Sequence, residues 1–365
     1  MEIFDRMNLN GHEQLVFWSE PRIGYRGIIA IHDTTLGPAL GGTRFWNYAS
    51  DSEAVEDALR LARGMTYKAA LAGLNLGGGK SVIIGDPHTR DRELLFRAHG
   101  RAVASLGGRY ITAEDVGTSP ADMEFVHMET HHVVGLMGRS GDPSPVTAFG
   151  VYQGMKAAAL RQYGSDSLNG KHVTVQGVGH VGCFLCEMLA NEGARLTVSD
   201  LSTERTDAVK KQFGAAVVSA KEIFEVQADI FAPCALGAVI NDETLDVLKV
   251  DIIVGAANNQ LAEPRHAQAV AKRKILYGPD YLVNAGGLIN VYAELQGWPP
   301  ERSKRKAAEI HNTLLRILDL AEREKITTAD AADRLAEERI DDIRHLHRTT
   351  LGGPGRKAHG SYVPR

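Results

Sequence analysis

Two lysines and an aspartate stand where residue type and setting point to proton chemistry. Lys68 lies three residues past Met65, at the end of the helix-spaced apolar stripe Val55, Ala58, Leu59, Ala62 and Met65. An ammonium on such a face either finds a partner or snorkels at the helix end. Lys80 follows Gly77-Gly78-Gly79 and precedes the apolar Val82-Ile83-Ile84, and the glycines would let a ligand approach the backbone beside that amine. The segment is not a phosphate-cradling Walker loop, because the opening glycine of that pattern would fall at Leu74. Two ammonium groups in one cleft depress each other's pKa and burial adds to the effect, which suits a lysine to act as a base near neutral pH. Asp115, in Ile111-Thr112-Ala113-Glu114-Asp115-Val116-Gly117, closes a strand-like run; alone it reads as a turn residue.

A second constellation gives this trio a purpose. Gly177-Val178-Gly179-His180-Val181-Gly182 follows the strand-like Lys171–Gln176 and opens a helix that runs to about Glu192. A second strand, Arg195–Ser199, ends at Asp200, 23 residues after Gly177. That is the context of a Rossmann dinucleotide turn: the glycines allow a tight bend and bring pyrophosphate onto unpaired N–H groups at a helix N-terminus. The Asp200 carboxylate accepts from the adenosine ribose and repels a 2′-phosphate, which favours NAD over NADP.

The surrounding elements read as α/β. Gly27–Ile31 is strand-like, and Gly37-Pro38-Ala39-Leu40-Gly41-Gly42 reads as a turn. A helix opens at the capping box Ser50-Asp51-Ser52-Glu53. Strands follow at Lys80–Ile84 and Arg109–Thr112 with a helix at Arg92–Leu106 between them, and a further helix covers Val151–Leu160. From there strand and helix patterns alternate to about residue 292, the mark of a parallel, doubly wound sheet. The last 65 residues are mostly amphipathic helix, in which Ile310, Leu314, Ile317 and Leu318 suit either a core or a subunit interface. A tail from about Gly352 has the Gly-, Pro- and Arg-containing composition of a disordered segment. The expected architecture is two α/β domains around a cleft, the C-terminal-side one a Rossmann dinucleotide-binding fold.

Composition excludes several other functions. With 41 Lys and Arg against 45 Asp and Glu in 365 residues, the net charge of −4 lacks the basic excess of a nucleic-acid binder. The charged N-terminus is no secretory signal and no apolar run reaches membrane-span length, so a cytoplasmic protein with no membrane partner is expected. Three cysteines make no disulfide framework. Cys183-x-x-Cys186 has no second ligand pair and reads as two packed thiols; His127, His131 and His132 lack paired acids, so no metal is expected.

Leu74-Asn75-Leu76-Gly77-Gly78-Gly79-Lys80-Ser81-Val82-Ile83-Ile84-Gly85-Asp86-Pro87 resembles the active-site segment of the glutamate/leucine/phenylalanine/valine dehydrogenases. So do Gly37–Gly42, Arg63–Lys68, Tyr110–Gly117 and Asn284–Asn290, and the resemblance spans roughly residues 10–345. It implies reversible oxidative deamination of an L-amino acid by NAD to a 2-oxo acid, ammonia and NADH. By the same resemblance Lys68 holds the substrate α-carboxylate with backbone near Gly41 and Gly42, and Met65 belongs to the substrate-binding set. Lys80 activates the attacking water and Asp115 shuttles protons with it. Thr147 contacts the nicotinamide carboxamide, Asn258 orients substrate or nicotinamide, and Asn284 joins the cofactor set.

Glutamate-specific relatives grip a distal carboxylate with a lysine and a hydroxyl residue; the matching positions here are Leu40 and Val291. With Ala113 and Leu288 they make an aliphatic pocket, in which a second carboxylate would be buried without a countercharge. Leucine, valine and isoleucine are therefore the expected substrates. Members acting on branched-chain amino acids often carry Val where this chain has Leu288, and Leu also occurs in members acting on phenylalanine and tryptophan. Those aromatic substrates are the alternative, and a catalytically silent nucleotide-binding protein is a remote third. The resemblance further implies a catalytic domain over 1–134, an NAD-binding domain over 135–328, C-terminal helices over 329–365 that pack back on the first, a cleft that closes on substrate, and a homo-oligomer, an octamer.

Overall fold

In the computed structural model, residues 2–138 and 141–348 are described; the tail from Gly352 lies outside them. The chain forms two compact units. Of the described residues, one comprises those up to Gly141, Glu294–Gly297 and those from Ala336; the other comprises Asp142–Ala293 and Trp298–Leu335.

The first unit is built on a five-stranded mixed sheet. Its strands are β1 (Gln14–Glu20), β2 (Tyr25–Asp33), β3 (Ala39–Trp46), β4 (Gly77–Ile84) and β5 (Tyr110–Glu114), in the order β1-β2-β4-β3-β5. β2 is antiparallel to β1 and β4, whereas β3 runs parallel to both β4 and β5. β2 is buried on both faces, which explains its unbroken apolar run. Ile28 and Ala30 meet Val55, Ala58, Leu59 and Ala62 of the helix Asp51–Leu71, and Ile29 and Ile31 pack with Ala102, Val103 and Tyr110. That helix starts where Ser50 accepts the Glu53 N–H, but the Glu53 carboxylate takes the N–H of Ala49, one residue outside the expected capping box. Within the same unit, Tyr67 donates to Glu337 at 2.6 Å and Arg339 to the Ala70 carbonyl at 2.7 Å, fastening the part of the helix Thr328–Arg348 that follows Leu335.

The turn expected over Gly37–Gly42 is largely strand. Gly37, at φ +150°, makes the bend, but Leu40, Gly41 and Gly42 lie inside β3. Glycine is required there by neighbours, not by curvature: a Cβ on Gly41 would fall 1.7 Å from the Gly79 carbonyl oxygen, and one on Gly42 2.4 Å from that of Glu114. Gly77–Gly79 likewise lie in β4, all buried. A Cβ on Gly78 would sit 2.1 Å from the Thr66 nitrogen and one on Gly79 2.7 Å from the Tyr110 ring, so this triplet admits protein atoms where the sequence suggested a ligand.

The second unit holds a six-stranded, all-parallel sheet of β6 (His172–Gln176), β7 (Arg195–Ser199), β8 (Ala216–Val217), β9 (Ile230–Pro233), β10 (Ile252–Ile253) and β11 (Leu276–Tyr277). The order β11-β10-β9-β6-β7-β8 reverses direction between β6 and β9, the Rossmann arrangement, whose ligands bind outside the carboxyl ends at that switch point. Ile310, Leu314, Ile317 and Leu318 are core of this unit, on the helix Pro300–Glu324. Gly150, in the helix Ser144–Tyr163, leaves just enough space for Ile310. No helix among the described residues is long and apolar enough to cross a membrane.

Candidate active site

In the first unit the expected residues converge on the junction of β3, β4 and β5. Lys80 is 5 % exposed and its Nζ lies 2.8 Å from Asp115 Oδ2. Asp115 is set by the turn after β5: Gly117 takes φ +79° against the Phe45 carbonyl, and the Thr118 hydroxyl accepts the Asp115 N–H at 2.8 Å. Arg92, clamped on Asp122, donates to the Gly117 carbonyl and tethers this turn. Gly42 lies against the Asp115 Cβ, Gly41 against the Met65 side chain, and Ala113 pairs with Gly42 in the β3–β5 ladder. Leu40 is buried two positions before Gly42, and Lys68 is half-buried a turn after Met65.

Burial pushes the Lys80 ammonium below the ordinary lysine range, and the Asp115 charge opposes but does not cancel this. Burial raises the Asp115 carboxyl, but Lys80 and Arg44 together outweigh it and hold the group below the usual carboxylate range. The pair thus combines a lysine unusually ready to lose its proton with a carboxylate kept ionised beside it. Beneath it runs a buried polar network: Thr43 Oγ1 bonds Ser81, His99 and Thr112, and the Tyr110 hydroxyl donates to the Gly41 carbonyl at 2.5 Å. Burial holds His99 down at about 3, so its ring is neutral and bonds both Thr43 and Tyr25.

The sequence reading passed over Arg44. It sits on β3 beside Gly42, with Nε 3.0 Å from Asp115 Oδ2 and Nη1 2.8 Å from Asp57 Oδ2. Strand alternation from Gly42 was the available signal, because it puts position 44 on the face that carries Gly42.

In the second unit the Gly-rich turn follows β6 as expected. Gly177 has φ +92°, and a Cβ on it would fall 2.7 Å from that of Ala235; a Cβ on Gly182 would lie 2.1 Å from the Gly177 carbonyl oxygen. Gly179 caps the helix His180–Asn191 and differs from both: the nearest atom to a Cβ there is Arg205 Nη1 at 3.9 Å. Val178 donates its N–H to Asp200 Oδ2, and Ser202 donates to Oδ1. The carboxylate therefore braces the turn from the end of β7, with lone pairs left for ribose hydroxyls.

Asn284 donates to Asn258 Oδ1 at 2.8 Å and to the Ala256 carbonyl, tying together two residues expected at the cofactor. Thr147, on the helix Ser144–Tyr163, bonds the Pro143 carbonyl, and its hydroxyl lies 3.1 Å from where a Gly287 Cβ would stand. Leu288 and Val291 share one face of the helix Gly286–Gln296, the first buried and the second half-buried. Among the described residues nothing bonds the buried side-chain oxygens of Asn284 (Oδ1), Gln176 (Oε1) or Ser199 (Oγ). Such orphans cost about 1–3 kcal/mol each, and the last two stand at the carboxyl ends of β6 and β7 where a dinucleotide would bind. The residues present therefore fit a nicotinamide dinucleotide. Cys186 is buried, and burial raises its thiol and pushes that of Cys234 up to about 12, which makes both inert packing groups. No group of three or more metal-ligating side chains occurs among the described residues.

Comparison with known proteins bears on the family and the fold. Residues 12–132 match the family model described as Glu/Leu/Phe/Val dehydrogenase, dimerisation domain, and residues 197–348 match that of Glutamate/Leucine/Phenylalanine/Valine dehydrogenase. The chain is 55 % identical to a leucine dehydrogenase of Thermoactinomyces intermedius, over 96 % of this chain and 97 % of the relative. It is 45 % identical to a phenylalanine dehydrogenase of the same organism, over 98 % and 99 %. The crystal structure of L-tryptophan dehydrogenase from Nostoc punctiforme superposes with a TM-score of 0.85 at 46 % identity, covering 94 % of this chain and all of that one. On the match of its sequence to both family models and to full-length relatives, this chain belongs to the glutamate/leucine/phenylalanine/valine dehydrogenase family.

Proposed function

We propose that the protein catalyses the NAD-dependent, reversible oxidative deamination of a branched-chain L-amino acid, leucine foremost, with valine and isoleucine as further substrates. The observation that carries the chemistry is the buried Lys80 amine 2.8 Å from the Asp115 carboxylate. The substrate's amino group first gives up a proton to solvent, and NAD, when bound, would accept the hydride from Cα. Lys68 and the backbone at Gly41 and Gly42 hold the α-carboxylate, leaving an iminium at Cα open to water. Lys80, as free amine, takes a proton from that water while its oxygen adds to the iminium carbon. Asp115 relays that proton from Lys80 to the amino group of the resulting carbinolamine; as the C–N bond breaks, the freed Lys80 amine takes the hydroxyl proton, ammonia leaves and the C=O of the 2-oxo acid forms. The sum is amino acid, NAD⁺ and water to 2-oxo acid, ammonium, NADH and a proton.

The four side chains assigned to the substrate's R group, Leu40, Ala113, Leu288 and Val291, are all apolar, and three of them are buried. That supports an aliphatic substrate over glutamate, whose second carboxylate would lack a countercharge. The Asp200 carboxylate at the Gly-rich turn supports NAD over NADP. The assembly we propose is a homo-octamer, in keeping with the dimerisation segment at residues 12–132, and sedimentation velocity tests it.

The direct test is NADH formation from NAD with leucine, valine, isoleucine, phenylalanine, tryptophan and glutamate. Highest kcat/KM with the aliphatic trio supports the reading, and an aromatic preference overturns the substrate assignment. Lys80→Ala is expected to lose about 10³-fold in kcat with NADH binding retained. Normal turnover in that variant overturns the mechanism.

A further inference from the structure

We infer that Arg44 is a positioning residue for the Lys80–Asp115 pair: its two-sided clamp fixes which Asp115 oxygen faces the substrate. The inference rests on the catalytic reading of that pair. Asp115 Oδ2 receives two cationic donors, Lys80 Nζ at 2.8 Å and Arg44 Nε at 3.0 Å. Among the described residues no hydrogen bond is made to Oδ1, and the side chain is 26 % exposed. The carboxylate is thus pinned through one oxygen, and the other is presented for proton transfer. A lysine alone could not do this, since a single flexible ammonium lets the carboxylate rotate and exchange oxygens, whereas a planar guanidinium holds a fixed edge.

The clamp is itself anchored. Arg44 Nη1 lies 2.8 Å from Asp57 Oδ2, the same oxygen that accepts the Tyr48 hydroxyl at 2.8 Å, while Arg60 holds Asp57 Oδ1 at 2.8 Å. Asp57 belongs to the helix Asp51–Leu71 and Asp115 to the turn after β5, so Arg44 on β3 ties three elements at the reacting pair. Arg44 also lines a cavity of about 670 Å³ that Trp46, Tyr48, Asp57, Arg60 and Val116 share, with Trp46 and Val116 half exposed. A small cation can therefore reach the position of the guanidinium from solvent.

The charges facing the pair come from every adjoining element. β3 supplies Arg44, β5 and its turn supply Tyr110, Glu114 and Asp115, and the helix carries Asp57. Arg44 is a like charge to Lys80 and opposes its protonation. Removing Arg44 therefore favours the ammonium, and the free amine appears only at higher pH.

The experiment is a pH profile of kcat and kcat/KM for leucine, using the full chain as wild type, Arg44→Ala, Arg44→Lys and Lys80→Ala, each checked for NADH binding. Arg44→Ala is expected to lose about 10²-fold in kcat and to move the acid limb of kcat/KM up by about half a pH unit or more. Arg44→Lys, with charge but no fork, is expected to keep the limb in place while losing about tenfold in kcat. Millimolar guanidinium chloride, against potassium chloride at equal ionic strength, is expected to restore about tenfold of kcat to Arg44→Ala and none to wild type. An Arg44→Ala enzyme within twofold of wild type overturns the inference. So does a loss with an unmoved limb that neither guanidinium nor Arg44→Lys repairs, because that is a merely structural lesion. If Lys80→Ala turns over normally, the catalytic reading itself has failed; if Lys80→Ala is dead and the Arg44 variants are normal, only the role of Arg44 has.

Discussion

Gly77–Gly79 in β4 and Gly177–Gly182 after β6 look alike in sequence, as glycine-dense runs beside residues with chemistry. Their surroundings differ. Every position of the first cluster is buried, and a Cβ on any of the three would strike protein atoms within 2.7 Å. In the second cluster Gly177 and Gly182 are crowded in the same way, but Gly179 opens onto space at a helix N-terminus. The first set lets a strand, a helix and the Tyr110 ring approach closely enough to hold Lys80 in the middle of a sheet. Only the second contains a glycine whose missing side chain leaves room for a ligand. Glycine density therefore marks close approach in both places, and what approaches has to be read from the neighbours.

The sharpest test of that difference is Gly78→Ala. Its Cβ would lie 2.1 Å from the Thr66 nitrogen and 2.2 Å from Oγ1, with the Ala62 carbonyl oxygen at 2.5 Å. Two of these atoms are backbone of the helix Asp51–Leu71, which can yield only by withdrawing from the sheet. A loss of about 3 kcal/mol or more is expected, at or above the upper end for overpacked cores, read as a lower urea midpoint. Wild-type stability would mean the strand and helix are looser than their packing implies.

A second consequence concerns acid. His32 is buried against Thr66, the residue on which Gly78 packs, and burial holds it down at about 4; His99 beneath Lys80 is held at about 3. Both lie below the ordinary histidine value of 6.5, so in the unfolded chain both bind protons at a pH where the folded chain does not. Their contribution is fully present above pH 6.5 and is lost as pH falls toward those depressed values, at up to about 1.4 kcal/mol per pH unit for each. Together they should take about 2 kcal/mol from the first unit between pH 6.5 and 5.5. In the second unit His172 is shifted the same way by burial but is only half-buried. Amide exchange in β4 should therefore accelerate more than in β6 on acidification. Equal acceleration would remove this distinction between the two sheets.

The sequence made much of this legible, for identifiable reasons. β6, β7 and the turn between β6 and its helix obey a local grammar, in which strand alternation, special φ angles and a helix start all fall within a few residues. Lys80 stands out between a glycine triplet and an apolar run, whereas Asp115 alone reads as a turn residue and gains its meaning only beside the two lysines and the dinucleotide turn. Leu40–Gly42 was misread because glycine's local signal is a turn, whereas its reason here is the Gly79 and Glu114 carbonyls, 38 and 72 residues away. Arg44 was missed for a similar cause. An arginine after Thr43 looks like a surface charge until Asp57 and Asp115, from two other elements, are known to flank it. β10 and β11, at two residues each, are too short to carry a pattern.

Gly179→Ala gives the smallest expected effect and the finest discrimination between the two clusters. The residue lies at φ −69° and ψ −160°, an extended conformation that alanine adopts without strain, and among the described residues the only nearby atom is the far end of Arg205 at 3.9 Å. Folding should not register the methyl, and the melting temperature should match wild type. A dinucleotide should register it, because the methyl occupies the surface on which pyrophosphate must come close to the helix N-terminus. A rise of about tenfold in KM for NAD, equivalent to about 1.4 kcal/mol, with kcat for leucine little changed, is the expected outcome. A drop in stability without a change in KM would make Gly179 the same kind of glycine as Gly78, and the pyrophosphate would have to bind elsewhere on the unit.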